Sequence, residues 1–172
     1  MISMVEYAHQ CLLNYTPIHR GVDFTMGNGY DTEFLVKHCD EVYAFDIQEE
    51  ALNHTKERLG ENQAHLILDG HQNIDCYMEE FDVGIMNLGY LPMASHQVTT
   101  LLPTSQEAII KAVTMMKKAF VIVVYPGHDE GARESQWIET YVSQLDTHQY
   151  NVSCFRMMNK AKAPYVIEIE KR

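Results

Sequence analysis

The chain has 172 residues, with 13 Lys and Arg against 24 Asp and Glu for a formal charge of −11, and 46% of it is hydrophobic. That length and apolar content suit one domain around one core, and the composition excludes collagen-like, low-complexity and disordered chains. No apolar run approaches the roughly eighteen residues of a membrane span, residues 1–20 lack an export signal, and the acidic balance argues against a generic nucleic-acid coat, so a cytoplasmic protein is expected.

In chain order, Met4–Asn14 places Val5, Ala8, Leu12 and Leu13 at helical spacing and predicts a leading helix. Short apolar runs then alternate with helical segments. The expected strands are Gly21–Met26, Glu41–Ile47, His65–Leu68, Phe81–Asn87 and Ala119–Tyr125, with helices at about 31–39, 48–59, 104–118 and 131–146. Thr104 followed by Glu107 resembles a capping box for the fourth of these segments. The strand Ala119–Tyr125 is apolar on both faces and should be central and fully buried.

The end of the chain breaks the alternation. Tyr150–Met158 and Tyr165–Glu170 are both β-prone, and only the Asn159–Pro164 turn separates them. Strands that close must pair antiparallel, because a parallel return needs a crossover of about a dozen residues. Five parallel strands and a C-terminal antiparallel hairpin form a seven-stranded, mostly parallel sheet, the Rossmann-like layout of the class I methyltransferase fold. No repeat or linker interrupts it, so residues 1–172 read as a single domain.

The most informative segment runs from Gly21 to Thr32, a buried strand entering Gly27-Asn28-Gly29 and then a helix. In an open α/β sheet ligands bind at the carboxyl ends of strands, where glycines admit them to the backbone. Thr32 stands where a dinucleotide fingerprint would have its third glycine, and Asp31 would repel a pyrophosphate while attracting a cation. S-adenosylmethionine, with an ammonium and a sulfonium, suits such a loop, so Thr25, Gly27, Asn28, Gly29, Asp31 and Thr32 are candidate cofactor-binding residues. An ordinary strand–helix turn is the plainer reading of a lone Gly-x-Gly.

Three more strand ends carry polar groups. Asp46, 17 residues beyond Gly29, can accept both hydroxyls of a ribose, with Gln48 beside it, although a helix cap would use the same residue type. Asp69, Gly70 and His71 end the third strand, where an adenine ring would lie. Asn87-Leu88-Gly89-Tyr90 ends the fourth, in the place of the Asn-Pro-Pro-Tyr signature of methyltransferases that act on amines. Asn87 can accept hydrogen bonds from an attacking amine and Tyr90 can stack on its base; a buried Asn and a packing Tyr would look the same. His128, in Tyr125-Pro126-Gly127-His128, is a candidate proton acceptor or an exposed histidine.

Cys11, Cys39, Cys76 and Cys154 form no Cys-x-x-Cys pair and read as reduced thiols. None of the nine histidines has metal-ligand spacing, so no metal is expected. Residues 156–172 hold Arg156, Lys160, Lys162, Lys171 and Arg172 against Glu168 and Glu170, and this basic stretch, with Arg20, Lys117, Lys118 or Arg133, is the part expected to meet phosphates.

Taken together, Asp-Phe-Thr-Met-Gly-Asn-Gly-Tyr-Asp-Thr, Asp-Gly-His, Asn-Leu-Gly-Tyr-Leu-Pro and Tyr-Pro-Gly-His-x-x-Gly-x-x-Glu resemble the YtqB-like family of rRNA methylases over nearly the whole chain. That family includes tRNA methyltransferases of the MnmM type, which convert 5-aminomethyl-2-thiouridine at the wobble position to its methylaminomethyl form. The resemblance implies S-adenosylmethionine as donor, the tRNA anticodon stem-loop as acceptor and a homodimer. It places Asn28, Asp31, Asp46, Gln48 and His71 on the donor, and Asn87, Tyr90 and His128 on the acceptor side. Asn159–Pro164 is looser than the family's Asn- and Pro-rich version. The rival readings are an rRNA methyltransferase, a non-catalytic S-adenosylmethionine-binding module and, more distantly, a dehydrogenase.

Overall fold

Ser3 opens the first helix, α1 (Met4–Leu13), with a full capping box: its hydroxyl accepts from the Glu6 N–H at 3.2 Å and its own N–H donates to Glu6 Oε2 at 2.8 Å. The structure, a computed structural model, describes residues 1–89 and 102–172. The chain continues through β1 (Ile18–Asp23), α2 (Tyr30–His38), β2 (Cys39–Asp46), α3 (Glu49–Leu59) and β3 (His65–Leu68). A 3-10 turn (His71–Cys76) leads to β4 (Phe81–Asn87). After it come α4 (Leu102–Met115), β5 (Met116–Val124), α5 (Asp129–Ser143), β6 (Tyr150–Phe155) and β7 (Tyr165–Lys171).

The strands form a seven-stranded sheet in the order β3-β2-β1-β4-β5-β7-β6. The first five pair in parallel, and β7 runs antiparallel to both β5 and β6. This is the class I methyltransferase arrangement expected from the chain's pattern. Burial decides which strand of the final hairpin lies inside. Tyr165, Val166, Ile167 and Ile169 of β7 are buried, whereas Asn151 to Cys154 of β6 are exposed, so β7 pairs with β5 and β6 takes the edge.

Side chains of β5 alternate between two apolar layers. Phe120, Ile122 and Val124 join Phe24, Phe45 and Phe81 under α4 and α5, while Val121 and Val123 join Ala8, Leu12 and Leu35 under α1 and α2. Burial on both faces explains the unbroken apolar run. Gly84 leaves room on the first layer: a Cβ there would stand 2.9 Å from Phe24, 3.0 Å from Phe81 and 3.1 Å from Phe120.

Several boundaries differ from expectation, and β6 for one ends at Phe155 and not at Met158. β5 begins at Met116 rather than Ala119, because Met116 pairs with Phe81 and is fully buried. The helical period alone cannot separate such a residue from the end of α4. That helix starts at Leu102, so Thr104 stands within its first turn and not ahead of it. Finally, β1 starts at Ile18 and ends at Asp23, three residues before Met26.

Candidate functional site

The early end of β1 makes the site. Past Asp23 the backbone alternates between its neighbours: the Phe24 N–H donates to Ile85 O of β4 and the Met26 N–H to Phe45 O of β2, both at 2.9 Å. The loop therefore leaves where the chain order reverses between β1 and β4, the crevice where open α/β sheets bind ligands. Gly29 starts α2 with φ 86°, and a Cβ on it would meet Thr55 Oγ1 at 2.8 Å and the Thr55 Cα at 3.0 Å. Only glycine allows both that turn and that approach to α3. From α3, Arg58 Nε donates to Asn28 O at 2.8 Å, His54 Nδ1 lies 3.1 Å from Asn28 Oδ1, and the Arg58 guanidinium covers the Tyr30 ring at 3.6 Å.

Three carboxylates surround the loop. Asp23 is fully buried and accepts from the Thr25 N–H at 3.0 Å and the Thr32 hydroxyl at 2.6 Å, which fixes Thr32 inside the fold. Burial pushes the Asp23 carboxyl up, and the nearby Asp31 charge adds to that. Asp31, also buried, accepts from His9 Nε2 of α1 at 2.6 Å. Asp46 accepts from the Gly27 N–H at 3.0 Å and the Gln48 N–H at 2.9 Å, one donor per oxygen, which leaves lone pairs for further donors.

At the end of β3, Asp69 accepts from the Gly70 N–H, the Asn73 amide and the Tyr77 hydroxyl, bonds that hold its carboxyl below the usual range. His71 is 7% exposed and its Nδ1 lies 2.8 Å from Phe24 O. A carbonyl only accepts, so Nδ1 carries the proton and Nε2 presents a lone pair. Burial lowers the imidazole pKa and keeps it neutral.

A cavity of about 820 Å³ opens at the carboxyl ends of β1 and β4, against α1 and α2. It brings together Thr25, Gly27, Asn28 and Asp31 with Asn87. The Asn87 N–H donates to Thr25 Oγ1 at 2.7 Å, and its side chain shares a hydrogen bond with Tyr125. Asp46, Gln48, Asp69, Gly70 and His71 do not line this cavity; they lie beyond the loop, at the ends of β2 and β3. His128 does not line it either. It caps α5, where its Nδ1 accepts the Gly131 N–H at 3.1 Å, so that nitrogen serves the helix and not a substrate proton. Tyr90 lies outside the described residues.

Four groups near these strand ends were given no role by sequence reasoning. Asp23, an acid in an otherwise apolar strand, was a readable signal, and Tyr125 stood at a strand end beside the chosen His128. His9 pairs across 22 residues of sequence, a contact no local pattern announces. Glu134 of α5 is the fourth: burial pushes its carboxyl up to about 7, and its Oε1 has no hydrogen-bond partner among the described residues.

The basic residues are not one surface. Arg20 pairs with Glu41, Lys117 with Glu80, and Lys118 donates to the Tyr15 and Pro17 carbonyls, all at the amino ends of β1 and β5. That is the opposite edge of the sheet from the cavity. Lys171 and Arg172 end β7, antiparallel to β5, and fall on the same far edge. Lys160 and Lys162 sit in the turn before β7, whose Lys162 O lies 3.3 Å from a Cβ built on Gly127, at the cavity's end of the sheet. Arg156 pairs with Glu139 and covers the Tyr165 ring.

Comparison with known proteins agrees with this geometry. Residues 42–170 match the family described as "Putative rRNA methylase". A curated relative from Arabidopsis thaliana, tRNA (mnm(5)s(2)U34)-methyltransferase, chloroplastic, is 30% identical over 88% of this chain, which spans 62% of that relative's length. Among solved structures, the Streptococcus mutans protein SMU.1697c in complex with SAH is 35% identical with a TM-score of 0.90, covering 100% of this chain and 99% of that one. An rRNA methylase from Streptococcus thermophilus is 31% identical with a TM-score of 0.83, covering 99% of this chain and 98% of that one. No helix among the described residues is long and apolar enough to cross a membrane, and no group of three or more His, Cys, Asp or Glu among them is placed to hold a metal.

Proposed function

The chain belongs to the rRNA methylase family, and on that premise we propose that it transfers a methyl group from S-adenosylmethionine to the 5-aminomethyl group of 2-thiouridine at tRNA position 34. The observation that carries this reading is one cavity uniting the glycine loop and Asp31 with Asn87 at adjoining strand ends. The relative that acts on this wobble nucleoside supports the choice of acceptor.

The residues fit the donor. Thr25, Gly27, Asn28, Gly29 and Asp31 make a close-approach loop with buried negative charge for its cationic end. Asp46 keeps acceptor capacity for a ribose, and Gln48 stands beside it. Asp69, Gly70 and the His71 Nε2 lone pair border the place of an adenine. Bound there, S-adenosylmethionine supplies a methyl group already activated on a sulfonium.

On the acceptor side, Asn87 takes a hydrogen bond from the attacking amine and fixes its direction, and Tyr90 stacks on the base. The neutral amine is the nucleophile, and exclusion of water lowers the pKa of an ammonium held there. The RNA is an anticodon stem-loop with its wobble base splayed out. In this reading Lys160, Lys162 and Arg133 meet its phosphates. A cytoplasmic homodimer is the form in which the enzyme works.

Methyl-labelled donor, offered with undermodified tRNA and with rRNA in parallel, tests the substrate class. Label in tRNA alone is expected. Label confined to rRNA would move the activity to that substrate, and donor binding without transfer to either would make the chain a binding module.

A further inference from the structure

The cavity is also lined by His9, a group that the reading above leaves without a chemical task. His9, from α1, is held by two constraints. Its Nε2–H donates to the buried Asp31 Oδ1 at 2.6 Å, and its ring lies flat on Phe34, with centroids 4.0 Å apart and planes 8° from parallel. Nδ1 has no hydrogen-bond partner among the described residues, and the side chain is only 18% exposed. The ring is therefore oriented, backed by a carboxylate and short of one partner, in the wall of the cavity that also holds Asn87.

We infer that His9 and Asp31 form a proton-accepting dyad in which His9 Nδ1 takes the proton that the acceptor ammonium must lose before methyl transfer. The inference rests on the proposed aminomethyl substrate. An aliphatic amine is mostly protonated near neutral pH, and its lone pair is needed for attack. The ammonium gives one proton to His9 Nδ1, and Asp31 stabilises the resulting imidazolium through Nε2–H. The freed lone pair forms the nitrogen–carbon bond as the carbon–sulfur bond breaks, and that electron pair stays on sulfur. The product is a secondary ammonium, and His9 passes its proton to solvent.

Other titratable groups of the cavity are less suited. Glu6 is committed to the Ser3 N–H. Glu33 faces Lys37 at 3.6 Å and Arg58 at 3.6 Å, so neither it nor Lys37 is an uncommitted base. His38 is exposed and only tilts against Phe34. Tyr125, pushed up by burial, keeps its proton at neutral pH.

The test is His9→Gln, whose amide nitrogen can replace Nε2–H toward Asp31 but offers no basic lone pair at the Nδ1 position. Donor affinity by calorimetry and melting temperature should stay close to wild type. Single-turnover methylation of aminomethyl-uridine tRNA should fall about 100-fold at pH 7, within the usual range for a lost general base. The deficit should shrink to a few-fold as pH approaches the ammonium's own pKa, because solvent then supplies the free amine. His9→Asn repeats the test if the glutamine variant loses donor affinity. A deficit equal at every pH, or none, overturns the dyad while leaving the function intact. A wild-type protein inert toward this tRNA at every pH overturns the function and the dyad with it.

Discussion

Asp46 Oδ2 accepts the Gly27 N–H at 3.0 Å, so the carboxylate that ends β2 is tied to the loop that ends β1. One residue thereby orients the glycine loop, and its remaining acceptor sites are those proposed for a ribose. Asp46→Ala removes both functions and should weaken S-adenosylmethionine binding at least tenfold, roughly 1.4 kcal/mol or more, in a calorimetric titration. Unchanged affinity would refute the ribose assignment.

Asn87 separates catalysis from donor binding. Its backbone N–H, bonded to Thr25 Oγ1, survives substitution, but the side chain proposed to meet the amine does not. Asn87→Ala should lower the methyl-transfer rate by about 100-fold, as expected when a positioning contact is lost, while donor affinity stays within a few-fold. Transfer at the wild-type rate would favour a different amine contact.

Glu134 makes stability depend on pH. Its folded pKa is pushed from 4.5 up to about 7 by burial, so the folded state binds the proton more tightly than the unfolded chain. Its stabilising contribution is complete below about pH 4.5 and is lost as pH rises through about 7. Glu134→Gln never bears this cost. At pH 8 it should be more stable than wild type by about 1–3 kcal/mol, at 1.36 kcal/mol per pKa unit, and near parity at pH 4.5. Urea unfolding at the two pH values measures the difference, and a gain independent of pH would contradict the assignment.

Gly84 is closely confined by the phenylalanine layer. A methyl group there would press on Phe24, Phe81 and Phe120 together. Gly84→Ala should destabilise the protein by about 1–3 kcal/mol through overpacking, read as a lower denaturation midpoint. Wild-type stability would mean that the three rings rearrange without cost.

The basic residues split between two edges of the sheet, and tRNA affinity should follow that split. Replacing Lys160 and Lys162 with Ala should weaken binding, whereas replacing Lys117, already paired with Glu80, should not. With about three phosphate contacts, log affinity should fall against log salt with a slope of about −2 to −3. A much steeper slope, or a loss on replacing Lys117, would relocate the RNA surface to the far edge.

Much of this architecture was legible because it is written in local pattern. The unbroken apolar run of β5 announced a strand buried on both faces, and the short turn before Tyr165 required an antiparallel hairpin. Likewise, Asp46 and Asn87 could be placed at strand ends, since strand ends follow from where apolar runs stop. What remained hidden depends on contacts between distant segments. His9 meets Asp31 only once α1 packs on α2, and the cap on α5 that occupies His128 Nδ1 depends on local backbone geometry. The basic stretch from Arg156 to Arg172 looked like one patch, yet an antiparallel strand carries its two ends to opposite edges of the sheet.

The most direct test of the central claim is nucleoside mass spectrometry of tRNA that carries 5-aminomethyl-2-thiouridine, before and after incubation with the protein and S-adenosylmethionine. The account predicts conversion of that nucleoside to its 5-methylaminomethyl form, with no other nucleoside gaining a methyl group. An unchanged aminomethyl nucleoside, with protein shown to bind the donor, would contradict it.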